Sequence, residues 1–229
     1  MTAPSGNRTR PSPNFGTRRA AIDMVVLHYT GMESAAAALD RLCDPAAEVS
    51  AHYLVDEDGT VWALVDEEMR AWHAGVSSWK GAVDINDRSI GIEIVNPGHE
   101  FGYRPFPDAQ MRAVETLLAD ILARRSIAPA RVVGHSDVAP ARKQDPGELF
   151  DWARLAAKGL AVWPAEDAGT PPAAEEDAPA LLAAVGYDAS GQMEDVVRAF
   201  QRRFLPRHLT GRLDPPTLAR LTGVARALA

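Results

Sequence analysis

The stretch Met24-Val25-Val26-Leu27-His28-Tyr29-Thr30 begins with apolar residues and then carries a histidine. Short β-branched runs of this kind are typical of buried strands. A second run, Arg131-Val132-Val133-Gly134, directly precedes His135. A polar residue at the end of such a strand lies at the rim of the sheet, where open α/β sheets place their sites. We therefore expect His28 and His135 at the rim of a sheet.

Asp145 completes a possible metal site. It follows His135 by ten residues, in a loop that contains Pro140, Pro146 and Gly147, and this loop could fold back over the rim. Two imidazoles and one carboxylate are a common ligand set for catalytic zinc, because three protein ligands leave a fourth position for water. The pattern predicts a zinc hydrolase. Alternatively, each histidine is a hydrogen-bonded residue at a strand end, without a metal.

Glu93 and Lys143 are the candidate catalytic residues. The stretch Ser89-Ile90-Gly91-Ile92-Glu93-Ile94-Val95 predicts a strand with its isoleucines on one side and Glu93 on the other. Burial would raise the pKa of Glu93 toward neutrality, which suits a general base. Lys143 shares the loop of Asp145 and could stabilise an oxyanion. The alternatives are a carboxylate on the surface of an edge strand and a solvated lysine.

The remaining patterns predict an α/β fold with a mixed central sheet flanked by helices. Ser34 is a suitable N-cap for a helix over 35–42. The pair Asp58-Gly59 lies between two strand-like runs, 49–55 and 60–65, and predicts a hairpin. The apolar spacing over 108–125 predicts the longest helix.

Composition divides the chain into four parts. Residues 1–22 contain four arginines and no acid, and they predict a disordered arm. Residues 23–163 form the α/β domain. Residues 164–179 are rich in proline and acidic residues and predict an extended linker. Residues 180–229 predict a small all-α domain of three helices, close to the lower size limit for independent folding.

Charge and hydropathy exclude several classes of partner. The 229-residue chain has a net charge of −7, which argues against non-specific binding to nucleic acid or to an anionic membrane surface. No apolar stretch is long enough to span a bilayer. The single Cys43 cannot form an internal disulfide. We predict no protein partner.

Six segments of residues 1–165 together resemble the type-2 N-acetylmuramoyl-L-alanine amidases, zinc hydrolases of bacterial cell-wall fragments. They occur in the order of that family and cover its whole domain. The segments are Leu27-His28-Tyr29-Thr30, Val49-Ser50-Ala51-His52-Tyr53, Arg70-Ala71-Trp72-His73-Ala74-Gly75, Ser89-Ile90-Gly91-Ile92-Glu93, Val133-Gly134-His135-Ser136-Asp137 and Arg142-Lys143-Gln144-Asp145-Pro146-Gly147.

The resemblance implies a role for each candidate residue. His28, His135 and Asp145 would bind Zn²⁺, Glu93 would be the catalytic carboxylate and Lys143 the polarising cation. The implied reaction is hydrolysis of the amide that joins N-acetylmuramic acid to L-alanine, in peptidoglycan or in (anhydro)muropeptide fragments, during cell-wall turnover or recycling.

Trp72 and His73 are expected to line the substrate cleft. Trp72 could equally be a core residue. The main competing function is a non-catalytic peptidoglycan-recognition protein of the same fold, which would have lost metal ligands. A metal-dependent endopeptidase or nuclease is a third possibility, and the acidic net charge argues against the nuclease.

The C-terminal part resembles a type-1 peptidoglycan-binding domain in three segments: Gly186-Tyr187-Asp188, residues 197–204 and Gly211-Arg212-Leu213-Asp214. A wall-binding domain favours a periplasmic enzyme. By contrast, Asp23 interrupts the apolar run that a secretory signal would need. The sequence therefore predicts a cytoplasmic location, with the periplasm as the alternative.

Overall fold

The computed structural model describes residues 7–165 and 172–229. The strands are β1 Asn7–Thr9, β2 Phe15–Thr17, β3 Met24–Tyr29, β4 Tyr53–Val55, β5 Val61–Ala63, β6 Met69–Ala71, β7 Ser78–Trp79, β8 Ala82–Val83, β9 Ser89–Ile94 and β10 Val132–Gly134. The helices are α1 Ala35–Leu42, α2 Gly98–Phe101, α3 Asp108–Arg125, α4 His135–Val138, α5 Trp152–Ala157, α6 Ala178–Val185, α7 Met193–Phe204 and α8 Pro215–Leu228.

Six strands form one sheet in the order β1-β5-β4-β9-β3-β10. The pair β4–β5 is antiparallel, and the other neighbours are parallel. Two small antiparallel pairs, β2–β6 and β7–β8, lie outside it. The prediction of a mixed sheet flanked by helices, with a small helical C-terminal part, is confirmed.

Alternating side chains give the sheet two different faces, as expected for extended strands. On β9, the isoleucines at 90, 92 and 94 pack with Leu118 and Ile121 of α3 in one core cluster. Glu93 points to the opposite face. The register pairs Glu93 with His28 of β3, so both polar side chains lie on the same side of neighbouring strands.

Local sequence signals place two of the predicted elements. The Ser34 hydroxyl accepts a hydrogen bond from the Ala37 N–H at 3.2 Å and begins α1. Gly59 has a φ of 89° in the β4–β5 turn, a conformation that glycine adopts without strain. The strand before this turn begins at Tyr53 rather than at residue 49.

The expected disordered arm is wrong from residue 7 onward, and residues 1–6 lie outside the described residues. β1 pairs with β5, and β2 pairs with β6. The Arg18 side chain donates hydrogen bonds to the carbonyl oxygens of Asp87 and Met69, both at 2.8 Å. Its charge is thus used in binding backbone carbonyls. High arginine content did not indicate disorder here, because each short strand is held by a partner that lies far away in the sequence.

The three predicted C-terminal helices are present as α6, α7 and α8, but they do not form a separate core. One apolar cluster joins them to the sheet, and it includes Val26, Val133, Trp79, Phe200 and Leu221. The predicted linker ends earlier than residue 179, because α6 begins at Ala178. Its residues 166–171 lie outside the described residues. No helix in the described ranges combines the length and hydrophobicity needed to cross a membrane.

Candidate metal centre and cleft

His28, His135 and Asp145 converge, as the sequence predicts. The Nδ1 atoms of the two histidines are 2.9 Å apart, and each lies 3.0 Å from Asp145 Oδ2. All three side chains are buried. They form a group whose ligand atoms could hold a metal ion.

The sheet and one loop contact explain this convergence. β3 and β10 are parallel neighbours in the register Leu27↔Gly134, so the histidine after each of these residues emerges at the same rim. The Ser136 N–H donates a hydrogen bond to the Asp145 carbonyl at 2.8 Å. This contact brings the loop of Asp145 back to the first turn of α4, next to His135.

The Nε2 atoms of His28 and His135 point away from Asp145, and their hydrogen bonds determine which ring nitrogen carries the proton. The His135 Nε2–H donates to the Ala74 carbonyl oxygen at 3.1 Å, so its Nδ1 carries a lone pair. On the other side, the Ser89 hydroxyl donates to the Ile85 carbonyl at 2.6 Å. The Ser89 oxygen therefore accepts from His73 Nε2–H at 3.3 Å.

The same chain continues to His28. Because His73 carries its proton on Nε2, its Nδ1 is an acceptor. That atom accepts from His28 Nε2–H at 3.0 Å, which leaves a lone pair on His28 Nδ1. We refer to His28, His73, Ser89 and the Ile85 carbonyl as the His73 relay. In this relay, His73 is the outer hydrogen-bond partner of His28, and partners of this kind fix the orientation of metal-binding histidines in proteins.

Three lone pairs thus converge on one point. The negative charge of the Asp145 carboxylate beside a neutral His28 favours a cation there. Burial, followed by the nearby His135, lowers the pKa of His28 to about 4, which keeps it neutral and able to bind metal. Burial opposes ionisation of Asp145, but its interactions with His135 and His28 outweigh this and lower its pKa. Two imidazole nitrogens and one carboxylate oxygen fit zinc with a tetrahedral position left over.

Glu93 lies beside this centre. Its side chain is half-buried, and its Oε2 atom is buried without a hydrogen-bond partner in the described part of the chain. Burial, together with the Asp145 carboxylate, raises the pKa of Glu93 well above its usual range, while Lys143 acts in the opposite direction. A carboxylate oxygen that is buried without a partner is costly in a structure and is typical of a group that exchanges protons.

An open cleft of about 370 Å³ contains the whole candidate site. Lys143 and Trp72 line it, as do Glu93 and the three candidate metal ligands. Lys143 lies on the same loop as Asp145. Trp72 is partly exposed at the wall of the cleft, so it is not a core residue.

His73 also lines the cleft, and its ring makes hydrogen bonds within the protein. Both ring nitrogens are engaged in the His73 relay. Burial, followed by the neighbouring His28, lowers its pKa well below the usual range, so the ring stays neutral. Its Nδ1 contact holds the His28 ring.

Two further residues of the site were missed by the sequence reasoning. The Asn86 side-chain oxygen accepts the backbone N–H groups of His73 and Ala74, at 3.0 and 2.7 Å. The Tyr103 hydroxyl donates to the Pro146 carbonyl at 2.7 Å and accepts from the Leu149 N–H at 3.0 Å, which holds the loop after Asp145. Neither residue lies in a motif, and their partners are distant in the chain.

Comparisons with known proteins identify the family of this chain. The family described as N-acetylmuramoyl-L-alanine amidase (Amidase_2) matches residues 18–148. N-acetylmuramoyl-L-alanine amidase AmiD of Escherichia coli is 39% identical over 235 residues, which cover 89% of this chain and 84% of that protein. 1,6-anhydro-N-acetylmuramyl-L-alanine amidase AmpD of Haemophilus influenzae is 42% identical over 107 residues, covering 46% and 56%.

Two solved structures extend the likeness over nearly the full chain. A complex of E. coli AmiD with the substrate anhydro-N-acetylmuramic acid-L-Ala-D-γ-Glu-L-Lys has a TM-score of 0.81 at 35% identity and covers 94% of this chain and 98% of that one. AmpDh3 of Pseudomonas aeruginosa in complex with anhydromuramic pentapeptide has a TM-score of 0.80 at 33% identity and covers 95% of each chain. From these matches, the chain belongs to the type-2 N-acetylmuramoyl-L-alanine amidase family.

Proposed function

We propose that this protein is a zinc-dependent amidase that hydrolyses the amide bond between N-acetylmuramic acid and L-alanine. One observation carries the proposal. The lone pairs of His28, His135 and Asp145 converge in an open cleft, beside the Oε2 atom of Glu93, which is buried without a hydrogen-bond partner among the described residues. The expected role is cell-wall turnover or recycling.

The residues of the cleft divide the chemistry. When bound, zinc polarises a carbonyl and lowers the pKa of a water molecule to about 7. Glu93 takes the proton of the attacking water and returns it to the leaving nitrogen of L-alanine, which requires a pKa near the operating pH. Lys143 donates hydrogen bonds to the oxyanion that forms on the scissile carbonyl. The His73 relay keeps the His28 ring in one orientation and one tautomer.

The two solved complexes suggest the substrate class. E. coli AmiD and P. aeruginosa AmpDh3 were each solved with an anhydromuramoyl peptide. We therefore propose that this chain accepts 1,6-anhydro-muropeptides, with Trp72 against the substrate at the wall of the cleft. Intact peptidoglycan is the alternative substrate.

The C-terminal helices carry a second part of the proposal. We propose that residues 180–229 form a peptidoglycan-binding unit of the type-1 kind, attached to an amidase domain over residues 23–163. The segment Gly186-Tyr187-Asp188 supports this resemblance. The cytoplasmic location stays a prediction, which cell fractionation with an antibody tests.

Product analysis of a purified anhydro-muropeptide tests the function. The zinc-loaded protein is expected to release the intact stem peptide, which mass spectrometry detects together with the free anhydro sugar. Release of shorter peptide fragments, with the rest of the stem still attached to the sugar, would indicate an endopeptidase instead. Tight substrate binding without any product would indicate a recognition protein.

Glu93→Gln separates catalysis from metal binding. This variant is expected to bind one zinc per chain, as measured by elemental analysis, while turnover falls by about 10²–10⁴-fold because the proton acceptor is lost. Full activity in this variant would exclude Glu93 as the base. A wild-type protein that binds no zinc would overturn the proposed function as a whole.

A further inference from the structure

Helix α7 contains two consecutive buried arginines, which is an unusual feature for a small helical unit. Arg202 is 6% exposed and Arg203 is 4% exposed. Burying a guanidinium is costly unless the charge is paired and hydrogen-bonded. The hydrogen-bond and ion-pair partners of both arginines lie outside the C-terminal helices, in the two segments that carry the candidate metal ligands His135 and Asp145.

We propose that α7, together with Tyr187 between α6 and α7, positions the metal centre: Arg203, Arg202 and Tyr187 hold the His135 and Asp145 segments in place. This inference rests on the metal site of the proposed function. It gives the C-terminal helices a task inside the amidase domain, separate from any binding to the cell wall.

Arg203 holds the segment around His135 from both sides. Its Nη2 donates to the Val132 carbonyl of β10 at 3.1 Å, and its Nη1 donates to Asp137 Oδ2 at 2.7 Å. The Tyr187 hydroxyl donates to Asp137 Oδ1 at 2.6 Å. Both contacts to Asp137 come from residues of the C-terminal part.

Asp137 passes this restraint to the metal ligand. The same Oδ2 atom accepts the Gly134 N–H at 2.7 Å, so the carboxylate closes the turn over residues 134–137 with His135 inside it. The Arg203 guanidinium also stacks on the Trp152 ring, at 4.3 Å from its centroid, which limits its own movement. A shift of Arg203 would therefore move the backbone of His135.

Arg202 reaches the other ligand segment on either side of Asp145. Its Nη2 lies 3.5 Å from Gln144 Oε1, and its Nε lies 3.7 Å from Glu148 Oε2. These contacts are longer than those of Arg203, so we expect a smaller contribution. Together, adjacent residues of one helix fix the separation between the two ligand segments.

Zinc affinity is the measurement that separates positioning from general support of the fold. Outer partners of metal ligands typically change the affinity by about 10–100-fold when they are removed. The experiment uses the full-length protein and measures the Kd for Zn²⁺ by competition with a chelator. The absorption spectrum of the Co²⁺-substituted protein reports the ligand geometry independently of activity.

The variants are Arg203→Met, Arg202→Met and Tyr187→Phe, with Arg198→Met as the matched control. Arg198 lies on the same helix, and it pairs with Glu194 at 2.6 Å on the outer face. We expect the Kd for zinc to rise about tenfold or more in R203M, and by smaller factors above twofold in R202M and Y187F. R198M is expected to bind zinc as the wild type does, and Arg203→Lys should recover part of the affinity lost in R203M.

Two outcomes overturn the proposal. In the first, the Kd for zinc stays within twofold of wild type in Y187F and in every arginine variant that folds, and the cobalt spectra are unchanged. This result would show that α7 supports only the fold. A loss of zinc affinity of the same size in R198M would show the same. Y187F keeps the aromatic ring and its packing, so it still tests the restraint on Asp137 from the C-terminal part if the arginine variants do not fold. Absence of zinc binding in the wild type is a different result, which removes the proposed function itself.

Discussion

Gly91→Ala is expected to weaken the metal centre through the His73 relay. A Cβ atom at this position would lie 2.5 Å from Cγ of His73, about 1 Å closer than the usual contact distance between carbon atoms. Gly91 lies on β9, whose backbone is fixed by pairing with β3 and β4. The His73 ring must therefore move, and it cannot keep its place between His28 and Ser89.

The magnitude follows from these contacts. Overpacking a well-filled core typically costs about 1–3 kcal/mol of unfolding free energy, which corresponds to a decrease in Tm of roughly 2–12 °C for a chain of this size. Loss of the 3.0 Å hydrogen bond to His28 removes an outer partner of a candidate metal ligand. We expect the Kd for zinc to rise about 10–100-fold.

Differential scanning calorimetry of the metal-free protein and chelator competition for zinc measure the two effects separately. Gly191→Ala is the control, because a Cβ there meets no atom within 4 Å. The reasoning is refuted if G91A lowers Tm but binds zinc with wild-type affinity, since the His73 ring would then have moved without affecting His28. It is also refuted if G191A weakens zinc binding equally.

Three further predictions concern other parts of the molecule. Burial alone would raise the pKa of Glu67, but hydrogen bonds, above all from Arg124, lower it below the ordinary value of 4.5. The ionised Glu67 therefore stabilises the folded protein above pH 4.5. This stability is lost as the pH falls through the lower pKa of the folded state. Urea unfolding between pH 5 and pH 3 should show a steeper loss of free energy in the wild type than in Glu67→Gln, and equal slopes would contradict this assignment. Asn86→Ala should destabilise the protein by about 1–3 kcal/mol for each of the two N–H groups left unpaired, whereas Asn86→Asp, which keeps an acceptor, should lose less in the same urea assay. Removal of zinc by EDTA should lower the free energy of unfolding. The expected decrease is about 2.7 kcal/mol relative to protein held at a zinc concentration of 100 times Kd. An unchanged Tm would argue against a metal bound in the folded state.

The sequence predicts those parts of the structure whose cause is local. The apolar runs before His28 and His135 indicate buried strands, and the alternation around Glu93 indicates which face it occupies. Asp58-Gly59 specifies the hairpin through its turn geometry. These features follow from backbone periodicity and turn chemistry, which neighbouring residues determine.

The parts that escaped prediction depend on partners far away in the chain. Arg18 is a flexible, solvated side chain until it meets the carbonyl groups of Asp87 and Met69. An amphipathic helix such as α7 shows that it has an inner face, but not which surface covers that face. The contacts of Arg203 with Asp137 and Val132 could therefore not be read from either segment alone.

The two histidines of the candidate metal centre are held by different kinds of hydrogen-bond acceptor. His135 is oriented by the main-chain oxygen of Ala74, an atom that every amino acid supplies. His28 is oriented by the imidazole of His73, which a single codon change removes. The orientation of His28 is therefore more easily lost by mutation than that of His135. Random mutagenesis that selects for lost zinc binding should recover side-chain replacements at position 73 far more often than at position 74.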